Sequence, residues 1–108
     1  MSVAIDVTEE QRGILEDLLV RYIPGVAVWA YGSRVKGRAR PYSDLDLVCF
    51  AAPAEHKRVY ELKDALAESN LPFLVDLHIW DEIPERFREI IRMEYVELPL
   101  HRCRDPLN

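Results

Sequence analysis

The chain predicts an α/β (α+β) fold in which helices cover a β-sheet. Helix-like and strand-like stretches alternate along its 108 residues. The strand-like stretches are short apolar runs bounded by Gly, Pro or polar residues, whereas the helix-like stretches repeat apolar residues every three or four positions. The length favours a single domain over residues 1–108. Elements that alternate in this way pack as layers around one core.

The first half of the chain predicts two helices and two strands. Residues 8–11, Thr-Glu-Glu-Gln, form a capping box that opens a helix, and Pro24-Gly25 ends that helix. Residues 26–31 are apolar and β-prone, which predicts a buried strand that Gly32 stops. A short helix is expected to begin just after Gly32-Ser33, followed by a loop. The second strand is expected over residues 44–50.

The second half predicts a helix over residues 54–69 and a third strand over residues 73–80. Asp81 is expected to cap a last helix, with Pro84 near its first turn. The core face of that helix is expected to consist of Ile83, Phe87, Ile90 and Ile91. Residues 95–98 suggest a short final strand, and the tail from Pro99, about 99–108, is expected to be loose.

Composition excludes several functional classes. The net charge of −5 argues against broad, charge-driven binding to nucleic acid, so no direct nucleic-acid partner is expected. Cys49 lies in an apolar run and Cys103 in a polar tail, so the two do not indicate a disulfide framework. No signal peptide or apolar stretch of membrane length is visible. We therefore expect a cytoplasmic protein without a membrane association.

Three acidic residues indicate a metal site. Asp44 and Asp46 flank Leu45, and residues two apart on a strand share one face about 7 Å apart. Two neighbouring carboxylates repel each other unless a cation lies between them, and Mg²⁺ prefers such oxygen ligands. Asp76 interrupts the apolar third strand, where a charge is costly unless it is paired or metal-bound. If the second and third strands are neighbours, Asp76 completes the set that a two-metal site needs.

Gly32-Ser33 indicates a phosphate-binding loop. Gly32 lies at a strand end and lets the backbone approach a ligand closely, and a helix that starts there directs N–H groups at an anion. Arg34, Lys36 and Arg38 add positive charge beside this loop. These side chains either contact a triphosphate or form an ordinary solvated loop, with Arg34 and Lys36 the preferred ligands. Ser43 either contributes to the nucleotide site or only caps the turn before the strand.

Other residues near these strands have simpler interpretations. His78 shares the predicted face of Asp76 and is interpreted as a structural histidine. Trp29 and Trp80 are expected to pack in the core rather than to stack on a base.

The pattern Gly32-Ser33, ten residues, Asp44-Leu45-Asp46 resembles the GSx₁₀DxD signature of the polymerase-β-like nucleotidyltransferases. The run GSRVKGRARPYSDLDLV is similar to their minimal nucleotidyltransferase (MNT) branch, and Asp76 matches the third carboxylate of the family. The resemblance implies a small mixed β-sheet flanked by helices. It also implies that Asp44, Asp46 and Asp76 bind Mg²⁺, with two ions expected.

The family resemblance further implies a reaction and a partner. MNT proteins are usually encoded beside a helical HEPN protein, typically a toxic ribonuclease that the MNT protein neutralises. Their activity transfers AMP from ATP to a tyrosine hydroxyl of that toxin. By this resemblance Gly32 and Ser33 hold the triphosphate, while Asp76 helps to deprotonate the acceptor hydroxyl.

Two other functions remain open from the sequence. The chain could neutralise a toxin by stoichiometric binding without relevant turnover, or it could nucleotidylate a small-molecule hydroxyl. An Asp-x-Asp pair alone is more often a solvated strand face, and a Gly-Ser pair alone is usually a turn. The combination with Asp76 is what favours the enzyme. A neighbouring gene for a short helical HEPN protein with an Arg-x₄-His motif would favour the two toxin-directed functions.

Overall fold

The computed structural model describes residues 5–37, 40 and 43–100. Its helices are α1 (Glu9–Tyr22), α2 (Ser33–Lys36), α3 (His56–Ala67) and α4 (Glu85–Met93). Its strands are β1 (Val28–Tyr31), β2 (Leu45–Cys49), β3 (Val75–Ile79) and β4 (Val96–Glu97). Short 3₁₀ turns precede α3 and follow β3, at Pro53–Glu55 and Trp80–Glu82. The predicted α/β fold and its alternating order of elements are confirmed.

The strands form one mixed sheet in the order β3-β2-β1-β4. β1 is antiparallel to both of its neighbours, β2 and β4, whereas β2 and β3 are parallel. Parallel neighbours need a crossover connection, and α3 supplies it between β2 and β3. Because of this crossover, β2 and β3 begin at the same end of the sheet.

One face of the sheet is covered by α1 and α3. Thr8 caps α1 as predicted, because its hydroxyl accepts from the Gln11 N–H at 3.1 Å while the Gln11 side chain accepts from the Thr8 N–H at 3.0 Å. Apolar side chains of both helices then pack on alternate strand residues, which gives the main core. Its fully buried members include Leu15, Leu19, Leu45, Leu47, Val59, Leu62 and Leu77. Cys49 is buried in the same core, as predicted.

The opposite face is covered only in part, by α4 and a group of aromatic rings. Trp29 stacks on Tyr95 with ring centroids 3.7 Å apart, and Phe50 lies 4.8 Å from Trp80. Ile91 of α4 is buried on the same face. The prediction that Trp29 and Trp80 pack in the core is therefore confirmed. The rings and α4 leave part of this face, with Asp46, Asp76 and His78, partly open to solvent.

Two predictions for the last helix were wrong. Asp81 lies within the 3₁₀ turn, and Pro84 is the capping residue of α4, with no side-chain hydrogen bond at the cap. The 3₁₀ turn after β3 contains Asp81, which is therefore not available to cap α4. Ile90 is 56% exposed rather than buried, because the sheet meets the side of α4 that carries Phe87 and Ile91.

The C-terminal segment is described only as far as Leu100, which is buried against the main core. The predicted loose tail therefore does not begin at Pro99, and its remainder, including Cys103, lies outside the described residues. Within the part of the chain that the structure describes, no helix is long and apolar enough to cross a membrane.

Candidate active site

Asp46 and Asp76 lie side by side on the partly open face of the sheet. They are direct partners in the parallel pairing of β2 and β3. Residues in register on neighbouring strands point to the same face, and adjacent strands are about 4.8 Å apart. The expectation that β2 and β3 are neighbours is confirmed. Two acids that are distant in sequence therefore form an adjacent pair.

The environment of Asp46 disfavours its charged form. Partial burial raises the pKa of Asp46, and the carboxylates of Asp76 and Asp44 raise it further, while His78 has a smaller opposing effect. Burial and repulsion between like charges both penalise a carboxylate. A bound cation would remove this penalty, so the electrostatics at Asp46 suit a site for positive charge.

Asp44 lies one residue before β2 and is exposed. It forms part of the wall of an open cavity of about 310 Å³. The other walls come from α3 and the segment before β3, and include Lys63, Leu71 and Leu74. Asp44 is thus accessible from solvent while its charge still acts on Asp46.

Gly32 brings the backbone against the acids. It follows β1 with φ of 87° and ψ of −159°, a conformation that is essentially restricted to glycine. A β-carbon at this position would overlap the Asp46 carboxylate. Tyr31, the residue before Gly32, pairs with Asp46 across the two antiparallel strands. The Gly-Ser loop and the Asp-x-Asp strand are therefore neighbours in space.

The helix after Gly32 is one turn long. The predicted short helix is confirmed as α2, which starts at Ser33 and ends at Gly37, where the Gly37 N–H donates to the Ser33 carbonyl. Gly37 has φ of 77°, a left-handed conformation in which glycine is favoured. The side chain of Lys36 and the whole of Arg38 lie outside the described residues, so their expected phosphate contacts stay predictions.

Arg34 is not placed as the sequence suggested. Its side chain is buried, with 5% exposure. The guanidinium donates to the carbonyl oxygens of Asp6, Ser43 and Arg40 at 2.6, 3.0 and 3.2 Å. These contacts use donors that a bidentate phosphate contact would need. The surroundings of Arg34 thus disfavour its predicted role as a triphosphate ligand.

Ser43 closes the turn before β2. Its hydroxyl accepts from the Arg40 N–H at 2.9 Å, and its own N–H donates to the Arg40 carbonyl at 3.0 Å. These are the contacts of a turn-capping residue, and a contact of Ser43 with the nucleotide stays a prediction.

Aromatic rings and His78 surround the acid pair. Nε2 of His78 lies 3.3 Å from Oδ2 of Asp76, and the His78 ring meets the edge of Phe87. Tyr31 is buried beside Asp46 on the same face, and burial together with the charges of Asp46 and Asp76 raises the pKa of its hydroxyl. Tyr31 therefore stays neutral, and its ring also contacts Phe87. The sequence had not indicated that Phe87 of α4 contacts both Tyr31 and His78.

The carboxylates of Asp44, Asp46 and Asp76 are suitable ligands for a hard divalent cation, but they do not converge on one position in this structure. Among the described residues, no three His, Cys, Asp or Glu side chains are placed so that they could hold a metal ion together. The carboxylate of Asp76 instead contacts His78. Asp46 and the two acids whose charges act on it, Asp76 and Asp44, supply only the oxygen ligands that Mg²⁺ prefers.

Comparison with known proteins agrees with this geometry. Residues 8–99 match the family model of the nucleotidyltransferase domain. Over 93 residues the chain is 45% identical to a protein of Haemophilus influenzae described as a probable protein adenylyltransferase, MntA. That alignment covers 85% of this chain and 82% of the relative. The resemblance carried by Gly32-Ser33 and the Asp-x-Asp strand is thereby confirmed, and the chain belongs to the nucleotidyltransferase domain family and is a nucleotidyltransferase enzyme.

Proposed function

We propose that this nucleotidyltransferase transfers AMP from ATP to a tyrosine hydroxyl of a cognate HEPN ribonuclease toxin, and thereby acts as its antitoxin. The observation that carries the catalytic part is the pairing of Asp46 with Asp76 beside the close approach of Gly32. The relative described as a protein adenylyltransferase supports AMP as the group and a protein as the acceptor. The HEPN partner and its tyrosine come from the family resemblance.

In this proposal Asp44, Asp46 and Asp76 would hold Mg²⁺, with two ions as expected from the sequence.

 Bound Mg²⁺ would supply positive charge that neutralises the phosphates and the attacking oxygen. The chain's own contribution is to orient these groups: Gly32 admits the phosphates close to Asp46, and the Ser33 hydroxyl is available as a donor to them. The partial burial of Asp46 strengthens every charge interaction at this point.

The acceptor hydroxyl reacts at the α-phosphorus of ATP. Its oxygen forms the new P–O bond while the bond to the bridging oxygen of the β-phosphate breaks, and pyrophosphate leaves. The proton of the hydroxyl passes to a base, for which Asp76 is the candidate because its side chain is 55% exposed at the open face. Catalysis then depends on positioning and charge neutralisation, as in phosphoryl transfer generally.

The test is the intact mass of the protein encoded beside this chain, after incubation with the native chain and Mg-ATP. We expect a gain of one or more AMP units, located on a tyrosine by fragmentation. The control is the double variant Asp44→Asn, Asp46→Asn, which keeps the side-chain volume but removes two charges. That variant is expected to transfer no AMP while it remains folded.

The two alternative functions give different results in the same experiment. A stable complex without any mass gain would favour an antitoxin that acts by stoichiometric binding. Transfer of AMP to an added small-molecule alcohol, with no modified protein, would favour a small-molecule acceptor. Modification of the neighbour by the double variant would contradict the assignment of the catalytic acids.

A further inference from the structure

We propose that Arg34 is a positioning residue, which holds Asp44 in place relative to the Gly32-Ser33 loop. This inference rests on the proposed function, because it assumes that Asp44 is a metal ligand. Arg34 belongs to α2, immediately after the Gly-Ser pair, whereas Asp44 begins the second half of the motif. The pairing of β1 with β2 already places Asp46 beside Gly32, but Asp44 lies before β2, so its position also depends on contacts made by the ten-residue spacer.

The guanidinium of Arg34 joins α2 to two other segments of the chain, the one before α1 and the one before β2. Nη1 donates to the carbonyl of Asp6, which precedes α1, at 2.6 Å. Nε donates to the carbonyl of Ser43 at 3.0 Å, and Nη2 donates to that of Arg40 at 3.2 Å. The Asp6 N–H donates in return to the Arg34 carbonyl at 2.8 Å. Arg34 is thus tied to its surroundings by its side chain and its backbone.

Because Arg34 is buried, it depends on these hydrogen bonds. A buried cation is costly unless hydrogen bonds replace its hydration. Three carbonyl oxygens do so here, and the Phe73 ring lies 4.1 Å from the guanidinium carbon. Lysine has the same charge but lacks the planar fork, so it cannot reach all three carbonyls at once.

The contact of Arg34 with the Ser43 carbonyl fixes the backbone next to Asp44. The Ser43 carbonyl belongs to the peptide group that joins Ser43 to Asp44. The turn that ends at Ser43 is closed by two hydrogen bonds with Arg40. On the other side of Asp44, the Leu45 N–H donates to the Leu74 carbonyl at 2.9 Å. Asp44 is therefore held from both sides, and Arg34 supplies the link to α2.

The test is the affinity of the nucleotide-free protein for Mn²⁺, measured by electron paramagnetic resonance. Arg34→Lys keeps the charge near the acids, so a change in affinity reports position rather than electrostatics. Loss of a group that orients a metal ligand typically weakens binding by about 10-fold or more. We expect a loss of that size, together with a lower kcat.

Arg58→Lys is the matched control. Arg58 donates to the carbonyl oxygens of Tyr22 and Arg21 at 3.2 and 3.1 Å, and it lies 4.8 Å from the Tyr22 ring. Its contacts resemble those of Arg34, but they join α3 to the end of α1. This variant is expected to lower the free energy of unfolding while its Mn²⁺ affinity stays native.

Phe73→Leu provides a second variant if Arg34→Lys fails to fold. It removes the ring beside the guanidinium but no group that could bind a phosphate, so a positioning role predicts weaker Mn²⁺ binding here as well. Native Mn²⁺ affinity in Arg34→Lys with only a raised KM for ATP would make Arg34 a phosphate ligand and overturn the inference. Native affinity in a folded Phe73→Leu protein would also contradict it. Failure of the native chain itself to bind Mn²⁺ would instead contradict the proposed metal site.

Discussion

The backbone of Gly32 lies so close to the carboxylate of Asp46 that position 32 has no room for a β-carbon. This contact joins the two halves of the Gly-Ser and Asp-x-Asp motif, which the sequence separates by a spacer. It also places the start of α2 next to Asp46, whose pKa is raised by burial and by the neighbouring acids. The requirement for glycine at this position is therefore both conformational and steric.

Gly32→Ala is expected to abolish nucleotide transfer and to destabilise the fold. The backbone conformation at Gly32 costs a non-glycine residue about 1–3 kcal/mol. The new methyl group would also displace the Asp46 carboxylate from its position. The transfer rate and the free energy of unfolding from urea titration measure the two effects.

Gly13→Ala is the control for this substitution. Gly13 lies in α1, and no atom lies within 4 Å of the β-carbon that alanine would add. Alanine is expected to stabilise the helix by about 0.5–1 kcal/mol with unchanged transfer. Equal activity of the two alanine variants would contradict the close approach at Gly32.

Stability without metal is expected to fall as pH rises from the ordinary pKa of aspartate to the raised pKa of Asp46. In that window the folded state binds more protons than the unfolded state, so the free energy of unfolding decreases with pH. Asp46→Asn should remove this contribution and be more stable than the native chain near neutral pH. Urea titrations of both proteins in EDTA over this pH range test the prediction. It would be contradicted if the free energy of unfolding of the native chain rose through the window and Asp46→Asn removed that rise.

Mg²⁺ is expected to stabilise the native chain against heat. A ligand that binds only the folded state at 100 times its Kd adds about 2.7 kcal/mol. Asp46→Asn and Asp76→Asn should each lose most of this gain, because each removes a proposed ligand charge. Melting temperatures with and without Mg²⁺ provide the measurement, and an equal rise in all three proteins would place the metal elsewhere.

Leu45→Ala is expected to lower the free energy of unfolding by about 2–5 kcal/mol. Leu45 is fully buried between the two acids of the motif, so its loss leaves a cavity under them. Leu74→Ala is the matched control, because Leu74 is 70% exposed. That variant should change stability by less than about 0.5 kcal/mol. Similar losses in both variants, measured by urea titration, would contradict the orientation of β2.

Local patterns were sufficient to predict most of the elements. The capping box at Thr8, the strand that Gly32 ends and the short helix after it all depend on residues close together in the chain. Predictions failed where a tertiary contact decided the outcome. The Asp81 cap was displaced by the turn after β3, and Ile90 is exposed because of the side that α4 turns to the sheet.

The family motif and the acids of the candidate site could be identified without coordinates, because residue types and short spacings are local properties. The pairing of Asp46 with Asp76 could not, since the parallel register of β2 and β3 depends on the α3 crossover. The tertiary structure also decided that Arg34 is buried and hydrogen-bonded to backbone carbonyls, where the sequence left open a phosphate ligand or a solvated charge. The Asp6 carbonyl and the Phe73 ring that contact Arg34 come from distant segments, so no local pattern could have indicated them.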